Sequence, residues 1–157
     1  MSKFILFLDF DGVMHPQWNG LPHLSPLIEK FCKLPLLENI LEGYDPDIVI
    51  SSSWKTAYPL DILQCFLGDH LGSKVIGVTP DFSAPYHPTY PWMREAEVRA
   101  WLSENQRTDP WVAIDDWKFG FSQGLENLYI TTSDTGLIEN DIFLLRKKIQ
   151  SILIKNI

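Results

Sequence analysis

The chain has 157 residues, 45% of them hydrophobic and 21% charged, with a formal net charge of −7. That is one domain's worth of folded chain, expected to span residues 1–157 and to bury a sizeable core. The acidic balance excludes a broad basic face for nucleic acid, and no apolar run approaches the length of a membrane span. The apolar start, Lys3 to Leu8, is too short for a signal-peptide core, so a cytoplasmic location is expected. Cys32 and Cys65 form no metal-like spacing and read as reduced thiols in the core.

Lys3 to Leu8 reads as a strand buried on both faces, as in a parallel sheet. It ends in Asp9-Phe10-Asp11-Gly12. In extended chain the i, i+2 spacing puts both carboxylates on one side, and Gly12 lets the backbone turn away. Two carboxylates on one side repel unless a cation such as Mg²⁺ lies between them. Met14 to Leu24 reads as a loop or flap. Ser25-Pro26 then starts a helix running to about Glu42, interrupted near Pro35, with Gly43 as its C-terminal turn.

Asp47 to Ile50 is a second buried strand, leading into Ser51-Ser52-Ser53-Trp54-Lys55. A helix over Leu60 to His70 and a strand over Lys74 to Val78 follow. Thr79 to Trp92, rich in proline and aromatics, reads as an ordered loop, with Ala84 to Trp92 forming a wall beside the site. A helix over Met93 to Glu104 turns Val98, Trp101 and Leu102 inward. Trp111 to Ile114 is a strand ending in Asp115-Asp116, and Leu128 to Ile130 is a short fifth. The last helix begins near Gly136, with Ile138, Ile142, Leu145, Ile149 and Ile152 on one stripe. Alternation of strand and helix predicts an α/β fold: a parallel sheet with helices on both faces.

In such a sheet ligands bind at the carboxyl edge of the strands. Asp9, Ser51 and Asp115 each follow a strand and converge there. Arg94, in the first turn of its helix, points to the same edge. Taken singly, each residue has an ordinary reading as a turn, loop or surface group. His15, Trp54 and Trp117 read as packing or surface residues. Together the set suits phosphoryl transfer. Asp9 attacks phosphorus and Asp11 serves as acid and then base. Mg²⁺ sits among Asp9, Asp11, Asp115, Asp116 and the Phe10 carbonyl. Ser51, with Ser52 and Ser53 as neighbours, and the Gly12 backbone meet the phosphate oxygens. Arg94 pairs with them, with Lys118 as its rival.

Leu8-Asp9-Phe10-Asp11-Gly12-Val13 resembles the first motif of the haloacid dehalogenase (HAD) superfamily. Ile48-Val49-Ile50-Ser51-Ser52 resembles the second, Arg94 the basic third, and Ala113-Ile114-Asp115-Asp116 the acidic fourth. Ser51-Ser52-Ser53-Trp54-Lys55, Arg94-Glu95-x-Glu97-Val98-x-x-Trp101-Leu102 and Thr135-Gly136-Leu137 resemble the small HAD domains of Swiss Army Knife RNA-repair proteins. The resemblance implies a three-layer, Rossmann-like domain and Mg²⁺-dependent phosphatase chemistry. Asp11 is what phosphatase members carry and hydrolytic dehalogenases lack. Val13 departs from the threonine many members have after the motif glycine.

Only about a dozen residues separate Asp11 from the first helix, and about 40 separate Ser53 from Arg94. Neither gap has room for a cap domain, so the site is expected to be open and its substrate large: a nucleic-acid end or a phosphoprotein. Trp18, Trp54, Tyr86, Tyr90 and Trp92 are candidates for stacking on bases. The competing reading is a phospho-acceptor or metal-binding signalling module that stores phosphate; Asp11 favours turnover.

Overall fold

The computed structural model describes residues 3–17, 30–83 and 91–157. Its sheet has five strands: β1 (Ile5–Leu8), β2 (Asp47–Ile50), β3 (Val75–Val78), β4 (Trp111–Asp115) and β5 (Leu128–Ile130). All neighbouring pairs are parallel, in the order β3-β2-β1-β4-β5. The helices are α1 (Leu34–Leu41), α2 (Leu60–Phe66), α3 (Gly68–Gly72), α4 (Met93–Glu104) and α5 (Glu139–Lys155). No cap domain is present among the described residues.

Alternation along β1 makes two cores. Phe4, Leu6 and Leu8 join Leu37 and Ile40 of α1, Leu63 of α2, Leu71 of α3, and Leu145, Ile149 and Ile152 of α5. Ile5 and Phe7 face the other way, onto Val98 and Trp101 of α4. Phe7 meets Trp101 and Trp111 edge-to-face, at 5.7 and 5.8 Å between ring centroids. The result is the three-layer, Rossmann-like arrangement.

Several boundaries differ from the sequence reading for local reasons. Residues 26–29, the expected start of the first helix, lie outside the described residues. From Lys30 the chain is a turn, and α1 begins only at Leu34. Pro35 opens that helix rather than interrupting it, because the first turn needs no N–H from it. The helix expected over Leu60 to His70 is two short ones, broken at Gly68, whose φ of +71° is left-handed. The last helix starts at Glu139, where the Asp141 carboxylate accepts the Ile138 N–H at 2.8 Å. Gly136 is instead a turn with φ +66°, where a Cβ would come within 2.7 Å of the Val13 carbonyl oxygen.

Met14, expected in a flap, is fully buried; 18–24 of that flap and 84–90 of the expected wall lie outside the described residues. Cys32 and Cys65 are free thiols, but Cys65 is exposed rather than in the core. No described helix is long and apolar enough to cross a membrane.

β1 carries the site, so its packing is the place to test the fold. Phe7→Ala is expected to lower stability by about 3–5 kcal/mol, since it removes a fully buried ring between two tryptophans. Equilibrium urea unfolding followed by tryptophan fluorescence measures it.

Candidate active site

Strand register builds the site. Leu8 is paired with Ile50 on one side and Ile114 on the other, so the next residue of each strand arrives at the same edge. The Ser51 N–H donates to the Leu8 carbonyl at 2.8 Å, and the Asp9 N–H to the Ile114 carbonyl at 3.1 Å. Strand order reverses between β1 and β4, and the crevice at such a switch point is where α/β sheets bind ligands. Asp9 and Asp115 stand on its two sides.

Oxygens of Asp9, Asp115 and Asp116 lie within 4.8 Å of one another. Asp9 and Asp115 are almost wholly buried, at 6% and 1% exposure. Burial, and then the Asp115 charge, pushes the Asp9 carboxyl well above its ordinary range. Burial pushes Asp115 up as well. The Trp117 N–H donates to Asp115 Oδ1 at 2.8 Å, whereas Asp115 Oδ2 is buried with no partner among the described residues. The Ser133 hydroxyl donates to Asp116 Oδ2 at 2.7 Å. Three hard oxygen donors, two of them buried and repelling, one with an orphaned oxygen, fit a divalent cation such as Mg²⁺. The Phe10 carbonyl, expected beside that cation, already accepts the Val13 and Met14 N–H groups at 3.1 and 2.8 Å.

Asp11 is outside this trio and is held separately. His15 Nε2 lies 2.8 Å from its Oδ1, and Trp54 Nε1 donates to its Oδ2 at 3.0 Å. The Phe31 N–H points at His15 Nδ1 from 3.3 Å, so a neutral ring with its proton on Nε2 satisfies both nitrogens. The hydrogen bond to His15 keeps the Asp11 carboxyl below its ordinary value, with Trp54 adding to it. His15 and Trp54, read from sequence as packing or surface residues, are thus the groups that aim Asp11. Their appearance beside Asp11 and in Ser51-Ser52-Ser53-Trp54-Lys55 was the available signal.

A cavity of about 290 Å³ opens on these groups. Asp9, Asp11, Asp115, Asp116 and Arg94 line it together with Gln17, Ser53, Trp117 and Ser133. Nothing in the sequence marked Gln17 or Ser133. Of the three serines, Ser53 lines the cavity, and Ser51 Oγ is buried with no partner among the described residues. Ser52, expected near phosphate, is fully buried, and its Oγ accepts the Trp54 N–H at 3.3 Å, capping the short 3₁₀ turn at Ser53–Thr56. Gly12 does not line the cavity. It has φ +74°, its N–H donates to the His15 carbonyl at 2.9 Å, and a Cβ there would lie 2.1 Å from Asp116 Oδ2. Its smallness is what lets Asp116 approach.

Arg94 is the cation of the cavity. Lys118 is not: its ammonium lies 5.0 Å from the Phe119 ring centroid, on the wall of a second cavity. That second, more apolar cavity, of about 780 Å³, is lined by Trp92, Phe119, Phe121, Leu125, Leu128 and Ile130 among others. Trp117, which lines the first, immediately precedes Lys118 of the second in sequence.

With divalent cation removed, ionising the buried pair Asp9 and Asp115 must cost stability. A carboxyl whose folded pKa is raised binds its proton more tightly when folded, so stability falls as pH rises from about 4 toward that raised pKa. Asp9→Asn is therefore expected to melt above the wild type in chelator at pH 7, with the gap closing toward pH 4. Thermal melts across that range check it; Mg²⁺ should raise the wild-type midpoint most at neutral pH.

No curated protein and no solved structure matches the chain. One family does, the HAD domain in Swiss Army Knife RNA repair proteins, over residues 5–142. That span runs from the first residue of β1 into α5 and takes in every group of the first cavity. The chain belongs to the family of HAD domains found in Swiss Army Knife RNA repair proteins.

Proposed function

We propose that this chain is a Mg²⁺-dependent phosphatase that hydrolyses a phosphomonoester at a nucleic-acid end, through an aspartyl-phosphate on Asp9. The observation that carries the reading is the meeting of Asp9, Asp115 and Asp116 with Arg94 and Asp11 around one small cavity. Asp9, Asp115 and Asp116 would hold the ion, which when bound offsets the charge between carboxylate and phosphate.

Asp9 Oδ forms a bond to phosphorus as the ester P–O bond breaks, and Asp11 gives its proton to the departing oxygen. Water then attacks phosphorus, the bond to Asp9 breaks, and Asp11 takes the proton back. The hydrogen bonds from His15 and Trp54 favour ionised Asp11, the form that the second step uses. Arg94 and Ser53 neighbour the phosphate position, and Ser51 Oγ supplies a further donor near the end of β2.

A nucleic-acid end is favoured over a phosphoprotein by one observation besides the family. The first cavity, of about 290 Å³, admits only the phosphorylated end of a large substrate, and the rest lies outside it. Exposed Trp117 lines it, and exposed Trp92 and Phe119 line the second cavity together with Lys118. Aromatic faces with an adjacent cation suit stacked bases and their backbone. The net charge of −7 restricts such recognition to the end of a strand.

The test is Mg²⁺-dependent release of inorganic phosphate from 5′- and 3′-phosphorylated oligonucleotides, phosphopeptides and p-nitrophenyl phosphate. Asp9→Asn is expected to abolish release with the fold intact. Asp11→Asn should slow both steps, by about 10²–10⁴-fold, and leave labelled phosphate on the protein. Turnover of phosphopeptides but not oligonucleotides would replace the substrate assignment; full activity in Asp9→Asn would remove the mechanism.

A further inference from the structure

Arg94 and Asp9 carry opposite charges in one small cavity, yet no ion pair joins them among the described residues. The reason lies under Arg94. Glu97, one turn further along α4, is 1% exposed. Its Oε1 accepts from Arg94 Nη1 at 3.3 Å. Its Oε2 accepts from Lys55 Nζ at 2.7 Å and from the Phe82 N–H at 3.2 Å. A carboxylate so buried persists only because it is surrounded by donors and cations.

The two cations are used differently. Lys55 Nζ donates to Glu97, to Thr79 Oγ1 at 2.9 Å and to the Pro80 carbonyl at 3.0 Å. An ammonium has three protons, so Lys55 has none left for a ligand. Arg94 keeps donors in reserve: its Nε is buried without a partner among the described residues. Packing narrows its freedom further, since a Cβ on Gly120 would come within 2.9 Å of Arg94 Cγ.

We infer that Glu97 is the positioning residue for Arg94, holding the guanidinium off Asp9 and Asp115 so that its free donors meet phosphate. The inference rests on the phosphatase reading above. Without the Glu97 charge, the cavity that Arg94 lines offers it the nucleophile and its neighbour as partners. Pairing with them would blunt the nucleophile, occupy oxygens meant for the cation and withdraw the guanidinium from phosphate. A carboxylate that only stabilised the fold would have none of these effects on binding.

The experiment is a double-mutant cycle of Glu97→Gln and Arg94→Ala, read by titration calorimetry with inorganic phosphate in saturating Mg²⁺, and by Mg²⁺ affinity alone. Glu97→Gln is expected to weaken phosphate binding about tenfold and to weaken Mg²⁺ binding too. In the Arg94→Ala background it should change neither. Equal effects in both backgrounds, or wild-type phosphate affinity in Glu97→Gln, would overturn the inference. Should Glu97→Gln fail to fold, Glu97→Asp takes its place in the cycle, being too short to reach Arg94 and Lys55 together. A wild type that binds phosphate but gains nothing from Glu97 refutes this inference alone. A wild type that neither binds phosphate nor releases it from p-nitrophenyl phosphate refutes the functional reading and this one with it.

Discussion

Two carboxylates are forced together in a place that cannot solvate them. β1 is hydrogen-bonded on both sides, so the backbone of Asp9 is pinned against β4, and Asp115 has nowhere to retreat. The cost of that repulsion is the constraint that the surrounding structure answers. Asp115 has one oxygen bonded to a backbone N–H and one bare, and Asp116 is braced by Ser133. Gly12 has no side chain because Asp116 needs that volume. Such a cluster of carboxylates is compatible with a divalent cation.

Around this centre, each remaining polar group is either fully engaged or kept partly free, and the difference assigns work. Asp11 has a donor on each oxygen, which fixes its direction. Lys55 is saturated and acts as a tie between the loops after β2 and β3 and helix α4. Among the described residues, Arg94, Ser51 and Asp115 are the three with buried, unpaired side-chain atoms. Buried polar groups are almost always satisfied, so these three orphans are open to a ligand's atoms.

The fold was legible in the chain because its signals are local. A short apolar run bounded by Asp, Ser or Gly reads as a buried strand in isolation, and α4 and β5 have the bounds expected of them. Boundaries failed where one residue outranks the pattern: Pro35 opened a helix, and Gly68 and Gly136 took left-handed turns. The carboxylates at the strand ends were equally legible. Lys118 was not, because its direction depends on the Phe119 ring beside it rather than on its distance in sequence from Asp116.

What the sequence alone determined is the order of acids, hydroxyl and guanidinium along alternating strands and helices, since periodicity and turn chemistry act within a few residues. Which of those groups touch, and which are already spent, only the tertiary structure decided. In sequence Glu97 is a member of the stretch that resembles the family, with no role of its own. It becomes a buried anchor because Lys55, 42 residues away, and the Phe82 backbone arrive at the same point. Trp54, 43 residues from Asp11, likewise takes hold of it only when β1 and β2 lie side by side. Pairings of that kind are set by distance through space, which no local pattern encodes.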